Sequence, residues 1–448
     1  MNRIATRAKS LLLLAVILLG GFFFFVGEFC AEADRWVVFP RSPHVYSAGN
    51  IGCGVVVDRD GYLILDLNDG RTYTEDLQLR KSTLHWVGDR YGYIYAPALP
   101  NYLSQSAGFD LLNGLYTYGG YGAVQELTLS ASVQKAALAA LGDRKGTIAV
   151  YNYKTGQLLC SVTAPTYDPD NVPETQDGMY LNRFTQGQFI PGSIFKIVTM
   201  AAVLEKAPQL QEQTFSCTGS YQMGVDLVTC GGEVHGIQNT KQAFRNSCNC
   251  AFAQISEKLG KENLQSYVDS CGVVDSVSFD GITTVKGKFQ ADASPVNLAW
   301  AAIGQYTDLI NPCAFLTYVG AVANGGEGVT PYVVEKITTE DGLTYQAKTQ
   351  IRQRVMSAET AATLREYMRN NVASKYSDSY FPGMQVCAKT GTAEVAGSNH
   401  NAMLAGFVMD EEYPLAFVVC VQDAGYGITV ALPIASKVLA ACKQLLDN

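Results

Sequence analysis

Residues 10–27 carry no charge and are dominated by Leu, Val, Ile and Phe. As a helix this run measures about 27 Å, close to the hydrocarbon thickness of a bilayer. Arg3, Arg7 and Lys9 precede it with no acid among them. By the positive-inside rule the N-terminus stays cytoplasmic and the rest of the chain is exported. A cleaved signal peptide is a second reading, because Ala31-Glu32-Ala33 resembles a small-x-small site, but the apolar run is long for one. A buried core helix fits poorly behind three basic residues at the extreme N-terminus. The expectation is a single-pass anchor over residues 1–33.

The 448 residues allow one large domain plus a smaller companion. With 48% hydrophobic and 17% charged residues the composition is globular. Net charge is −8 and no basic run follows residue 10, which argues against nucleic acid as a partner. Polar chemistry is therefore expected in a pocket rather than on a charged face. The cysteines number 12. There is no Cys-x-x-Cys pair, and Cys248-Asn249-Cys250 has no His close by in sequence, so no metal is expected. Cys217 and Cys230 lie in a Gly/Ser/Thr-rich stretch and could close a disulfide loop. Cys160, Cys420 and Cys442 sit in apolar runs and read as core residues.

Residues 34–125 read as a small β-rich region. Gly54-Val55-Val56-Val57 and Tyr62-Leu63-Ile64-Leu65 flank Asp58-Arg59-Asp60-Gly61, a hairpin with an Asp-Gly turn. Tyr- and Gly-rich sequence from Tyr91 to Tyr121 has no helical period. A helix follows over residues 131–141, and the boundary is placed near 125. Residues 126–448 open with a hairpin (147–151 and 157–162) and close with strands at 385–390, 403–409 and 415–421 and a helix over 435–446. Helical sequence fills the middle. Strands at both ends predict an α+β fold: one antiparallel sheet packed by terminal helices, with a helical insert.

Three motifs carry chemistry. Pro191-Gly192-Ser193-Ile194-Phe195-Lys196 opens a helix that is apolar nearly all round, the mark of a buried central helix. Ser193 and Lys196 share a face, and Ser193 lies in the first turn, where orphan N–H groups favour negative charge. A serine hydroxyl needs a base, and a buried lysine loses proton affinity, so Lys196 can take the Ser193 proton. A capping serine and a snorkelling lysine are the plain alternative. Ser247-Cys248-Asn249 joins helical stretches at 241–245 and 251–259 and can present a hydroxyl and an amide to a cleft, or simply cap a helix. Lys389-Thr390-Gly391-Thr392 ends an apolar run and is expected on an exposed edge strand. Lysine supplies charge there, Gly391 lets a ligand backbone approach, and the threonine hydroxyls can bind a carboxylate. Lys154-Thr155-Gly156 repeats the tripeptide, but in a hairpin turn ahead of the serine, and reads as structural. No Gly-x-Ser-x-Gly elbow occurs, and His44, His85, His235 and His400 give no support for a Ser-His-Asp triad.

The ordered set is that of serine β-lactamases and penicillin-binding proteins. The chain resembles the class B penicillin-binding proteins, particularly the short penicillin-binding protein A-like members. Leu127-Thr128 with Gln134, Lys154-Thr155-Gly156-Gln157, Asp168-Pro169, Ala302-Ile303-Gly304-Gln305 and Lys389 through Glu394 add to the likeness. Cys53 stands where arginine is usual, Ser130 where aspartate is usual, and Asn401-Ala402-Met403-Leu404 replaces an aromatic pair.

The resemblance implies a serine β-lactamase/penicillin-binding transpeptidase fold, a pedestal domain that docks a glycan polymerase of the shape-elongation-division-sporulation family, and no cofactor. It implies a D,D-transpeptidase acting on peptidoglycan stem peptides that end in D-Ala-D-Ala, and acylation by β-lactams. Ser193 is then the nucleophile and Lys196 the base, while Ser247 and Lys389 relay a proton to the leaving amine. Asn249 holds the donor's amide, Thr390 and Thr392 its carboxylate, and the N–H groups of Ser193 and Thr392 form the oxyanion hole. A glycosyltransferase domain is not expected, since roughly 90 residues before the boundary are too few. A β-lactamase or D,D-carboxypeptidase of the same fold, and a β-lactam sensor, are the rival readings.

Overall fold

In the computed structural model, residues 2–37, 46–47, 50–51, 54–68, 70–107, 109–110, 114–115, 123–339, 342–395 and 399–447 are described. Cys53 and Tyr121 lie outside them.

The strands expected at the two ends of the second region pair into one five-stranded antiparallel sheet. Its order is Leu158–Ala164, Gly146–Asn152, Leu415–Val421, Asn401–Val408, Val386–Ala393. The last strand carries the second Lys-Thr-Gly and is an edge, as expected. Its lysine is not exposed, however, because helical segments pack over that face and bury Lys389 completely. Successive residues point to opposite faces. Met403, Ala405 and Phe407 join the core under the helical insert, whereas Ala402, Leu404 and Val408 join the core under helices Ala131–Leu141 and Ala431–Leu446. Burial on both faces is why these strands read as continuous apolar runs rather than alternating ones. The terminal helix starts at Ala431, earlier than expected, because Pro433 falls in its first turn, where a missing N–H does no harm.

A second, six-stranded sheet has the order Gly342–Gln346, Val334–Thr339, Val124–Leu127, Val55–Val57, Leu63–Asp66, Thr72–Tyr73. It draws strands from both sides of residue 125. The Asp58 hairpin forms as expected. Asp58 is fully buried: one carboxylate oxygen accepts from Asp60 N and Tyr62 N, the other from Ala131 N at 2.8 Å. Asp58 thereby does for helix Ala131–Leu141 what Ser130, its N-cap, does not, since the Ser130 side chain makes no capping bond.

The N-terminal region is not purely β. It also contains helix Leu77–Val87, which Asp76 caps through Gln78 N and Leu79 N. This helix packs inward: Trp86 Nε1 donates to Ser161 O at 2.9 Å, and Arg80 grips Asp168 with two bonds of 2.7 and 2.8 Å. That fork explains the Asp168-Pro169 motif as a structural link between the two regions.

Helix Asn2–Val37 spans 36 residues. Its stretch Ile4–Ala33 is long and apolar enough to cross a membrane, and its Leu, Ile and Phe side chains are exposed. This fits a single-pass anchor.

Candidate active site

Ser193 sits in a 3-10 turn, Gly192–Phe195, and the α-helix proper begins at Lys196 and runs to Lys206. The turn exists because Gly192 takes φ +55 and lies against the edge strand: a Cβ there would come 2.7 Å from Thr392 O. From the other side, Gly192 N donates to Gly304 O at 2.8 Å. Gly304 itself has φ +84, and a Cβ on it would sit 2.2 Å from Gly192 O. The serine turn is thus held between Ala302-Ile303-Gly304-Gln305 and Lys389-Thr390-Gly391-Thr392.

The structure brings Ser193, Lys196, Ser247, Asn249 and Lys389 into one hydrogen-bonded cluster. Lys196 Nζ lies 3.1 Å from Ser193 Oγ and donates to Ser247 O and Asn249 Oδ1, each at 2.7 Å. Ser247 Oγ is 3.3 Å from Lys196 Nζ and 2.9 Å from Lys389 Nζ, so it bridges the two lysines. Lys389 also donates to Thr390 O at 2.9 Å. Asn249 Nδ2 is anchored on Thr229 O at 3.0 Å. Among the described residues no carboxylate bonds to these five side chains.

Burial dominates the electrostatics. Lys196 is fully buried and desolvation pulls it down to about 7. Lys389 is pushed well below its ordinary range, first by desolvation and then by the charges of Lys196 and Lys375. Ser247 takes a left-handed backbone, φ 55 and ψ 36, which an L side chain adopts only when its surroundings hold it there.

Thr390 Oγ1 lies 3.0 Å from Tyr376 OH, and that phenol also accepts from Thr390 N at 3.1 Å. Thr392 Oγ1 accepts from Gly427 N at 3.3 Å. Gly391 is needed for close approach, because a Cβ there would meet Pro191 O at 2.9 Å. Sequence reasoning missed Lys375 and Tyr376, which lie in the π-helical turn Val372–Tyr376. Lys375 donates to Asn246 O at 3.2 Å, beside the second motif. No motif marks them.

Residues 146–440 match the penicillin binding protein transpeptidase domain. The chain belongs to that family. Stage V sporulation protein D of Bacillus subtilis is 27% identical over 414 residues, covering 86% of this chain and 60% of that protein. The peptidoglycan D,D-transpeptidase PbpA of Mycolicibacterium smegmatis is 27% identical over 352 residues, 70% of this chain and 72% of that one. Both are class B penicillin-binding proteins, as the motifs imply. A ceftriaxone acyl-enzyme of penicillin-binding protein A from M. tuberculosis superposes with TM-score 0.76 at 22% identity, covering 87% of this chain and 98% of that one.

In this penicillin-binding protein the first Lys-Thr-Gly is elsewhere. Lys154 is exposed in the hairpin turn, where it donates to Asn324 Oδ1 at 2.7 Å. One expectation about the cysteines changes. Cys217 and Cys230 do come together, with sulfurs 3.7 Å apart, but they are not alone. His235 Nδ1 is 3.4 Å from Cys217 Sγ, and Cys248 Sγ is 3.6 Å from Cys230 Sγ. The histidine that Cys248 lacks close by in sequence is supplied by the fold, from a turn twelve residues upstream of Ser247.

Proposed function

We propose that this chain is a peptidoglycan D,D-transpeptidase that works through an acyl-enzyme on Ser193 and is acylated there by β-lactams. The observation that carries the reading is the set of bonds around Lys196. A neutral amine has two N–H groups and one lone pair. Two acceptors at 2.7 Å, Ser247 O and Asn249 Oδ1, take the N–H groups. The lone pair is then left for the Ser193 hydroxyl at 3.1 Å. With its affinity pulled to about 7, Lys196 is neutral often enough near pH 7 to act as base.

Ser193 Oγ attacks the penultimate carbonyl of a stem peptide ending in D-Ala-D-Ala, and its proton passes to Lys196. Ser247, bonded to both lysines, hands a proton to the leaving D-Ala amine, and Lys389 sets the charge at that point. The developing oxyanion faces the N–H groups of Ser193 and Thr392, which the Gly192 contact keeps adjacent. Asn249 holds the donor's amide, and Thr390 and Thr392, with Gly391 giving backbone access, hold its carboxylate. An amine from a neighbouring stem then resolves the ester.

The rest of the reading follows the anchor. Residues 1–33 tether the chain with the catalytic part outside the cytoplasm. Residues 34–125 serve as a pedestal toward a polytopic glycan polymerase, and residues 126–448 form the transpeptidase domain. The Arg80–Asp168 fork supports a pedestal that is rigidly joined to the catalytic part.

Ser193→Ala removes one oxygen from a half-buried site and should leave the fold intact. Intact-protein mass spectrometry after penicillin treatment should show a single penicilloyl adduct on the wild type and none on the variant. An adduct that persists in the variant places the nucleophile elsewhere.

A further inference from the structure

We propose that Cys217, Cys230, His235 and Cys248 form a structural zinc site that holds the Ser247-Cys248-Asn249 loop in its working conformation. The four donor atoms lie within 4.8 Å of one another. Tetrahedral zinc with Zn–S near 2.3 Å requires S···S edges of about 3.8 Å. The Cys217–Cys230 and Cys230–Cys248 sulfurs stand 3.7 and 3.6 Å apart, and Cys217 Sγ to His235 Nδ1 is 3.4 Å. A disulfide brings two sulfurs to about 2.05 Å and gives no reason for a third sulfur and an imidazole nitrogen to converge on the pair.

The surroundings are those of a metal ligand set. His235 Nε2 lies 3.0 Å from Glu233 Oε2, so the outer nitrogen carries the proton to the carboxylate and Nδ1 is free to ligate. Cys250 N donates to Cys230 Sγ at 3.4 Å and Ala251 N to Cys248 Sγ at 3.3 Å, bonds that favour thiolates. Each ligand ends an element. Cys217 closes strand Thr214–Cys217, Cys230 follows Asp226–Thr229, His235 precedes Gly236–Asn239, and Cys248 caps helix Asn249–Leu259. Cys217 and Cys248 are fully buried. Three thiolates and one imidazole make a closed soft-donor set that suits zinc and leaves no open position for catalysis. Cys250 Sγ also comes 3.4 Å from Cys230 Sγ, but it is not within 4.8 Å of all the other donors, and its thiol donates away from them to Val228 O at 3.7 Å. On binding, three thiol protons go to solvent and neutral His235 contributes its Nδ1 lone pair.

The link to chemistry is covalent chain. Cys248 lies between Ser247, held in the left-handed region, and Asn249, which bonds Lys196. Fixing Cys248 to a metal fixes both neighbours, so the four ligands are positioning residues. This second half rests on the function proposed above, whereas metal content does not.

Full-length protein purified in detergent without chelator should contain about one zinc per chain by elemental mass spectrometry, a closed Cys3His site binding a single ion. Ser193→Ala should retain the zinc while losing penicillin labelling, which separates failure of the site from failure of the function. Cys217→Ser with His235→Ala should lose the zinc, while His235→Cys, which keeps four soft donors, should retain it. Cobalt(II) exchange should give the visible bands of a tetrahedral thiolate complex. Chelated protein should be acylated about tenfold or more slowly, the scale on which metal-supporting groups act, with recovery on adding zinc. A metal-free preparation with a two-dalton deficit mapped to Cys217–Cys230 would overturn the site. Full zinc content with acylation indifferent to its removal would overturn the positioning role.

Discussion

Two lysines sit at the centre of this site with no carboxylate bonded to them among the described residues, and burial decides what each can do. An ammonium stripped of water is held only by the dipoles around it. Lys196 has four oxygens in reach plus the Phe252 ring, with its nitrogen 5.2 Å from the ring centroid. Lys389 has Ser247 Oγ and Thr390 O, with the Phe244 ring 6.0 Å away. Mutual repulsion through Ser247 favours one shared proton over two, which suits a relay. Lys154 provides an internal control, since it heads the same tripeptide on the surface. Lys389→Ala should slow penicillin acylation by about 100-fold, the effect of removing one aimed electrostatic group. Lys154→Ala should lose one exposed bond to Asn324 and leave acylation unchanged. Equal effects in stopped-flow acylation would mean the wrong Lys-Thr-Gly has been assigned. The sequence distinguishes the two only by order and by the element each falls on; burial, the property that separates them physically, is not written in a tripeptide.

At the level of elements, the serine turn depends on glycines contributed from other segments. Gly304→Ala should both strain the backbone at φ +84, at about 1–2 kcal/mol, and push a methyl into Gly192 O and the Phe195 side chain. Because the affected atoms belong to the serine turn, acylation should fall by tenfold or more, on the order expected for a misplaced reacting group. The melting temperature should drop only modestly. A variant that melts early yet acylates at the wild-type rate would separate Gly304 from the turn. Helix and strand cores are legible where apolar residues cluster: helix Ala131–Leu141 and strand Leu415–Val421 stand where their sequences put them. Helix Leu77–Val87 escapes a sequence reading because Arg80, Lys81, Ser82 and Thr83 interrupt its apolar face, and it is stabilised instead by the Asp76 cap and the Arg80–Asp168 fork. Tyr376 is illegible for a related reason: it acts through a hydroxyl delivered by an irregular turn, and such turns leave no periodic trace.

The whole molecule assembles its chemistry from segments far apart in sequence, around residues 193, 247, 304 and 389. The sheet edge is the common floor. Motif order reveals that these segments belong together, but not the sulfur-and-imidazole cluster behind Ser247, whose members are spread over residues 217–248 and meet through two small two-stranded sheets. The same assembly governs the fate of the acyl-enzyme. Hydrolysis of an acyl-serine needs a water held beside the ester and a base to polarise it. The hydrogen-bond partners of Ser193, Lys196, Ser247, Asn249 and Lys389 are hydroxyl, amide and backbone oxygens and each other, with no carboxylate among the described residues. Glu394, the acid nearest in sequence to Lys389, is exposed just past the end of the strand. Lys389 donates to Ser247 Oγ and Thr390 O, and the one lone pair of Lys196 is directed at Ser193 Oγ itself. A penicilloyl ester on Ser193 also fills the space an incoming amine would use, and so shields itself from water. The adduct should therefore form stoichiometrically and decay over minutes to hours, without measurable steady turnover of a chromogenic cephalosporin. Sustained hydrolysis at several turnovers per second, abolished by Ser193→Ala, would instead require a water-activating group that this cluster lacks, and would move the chain to the β-lactamase branch of the same fold.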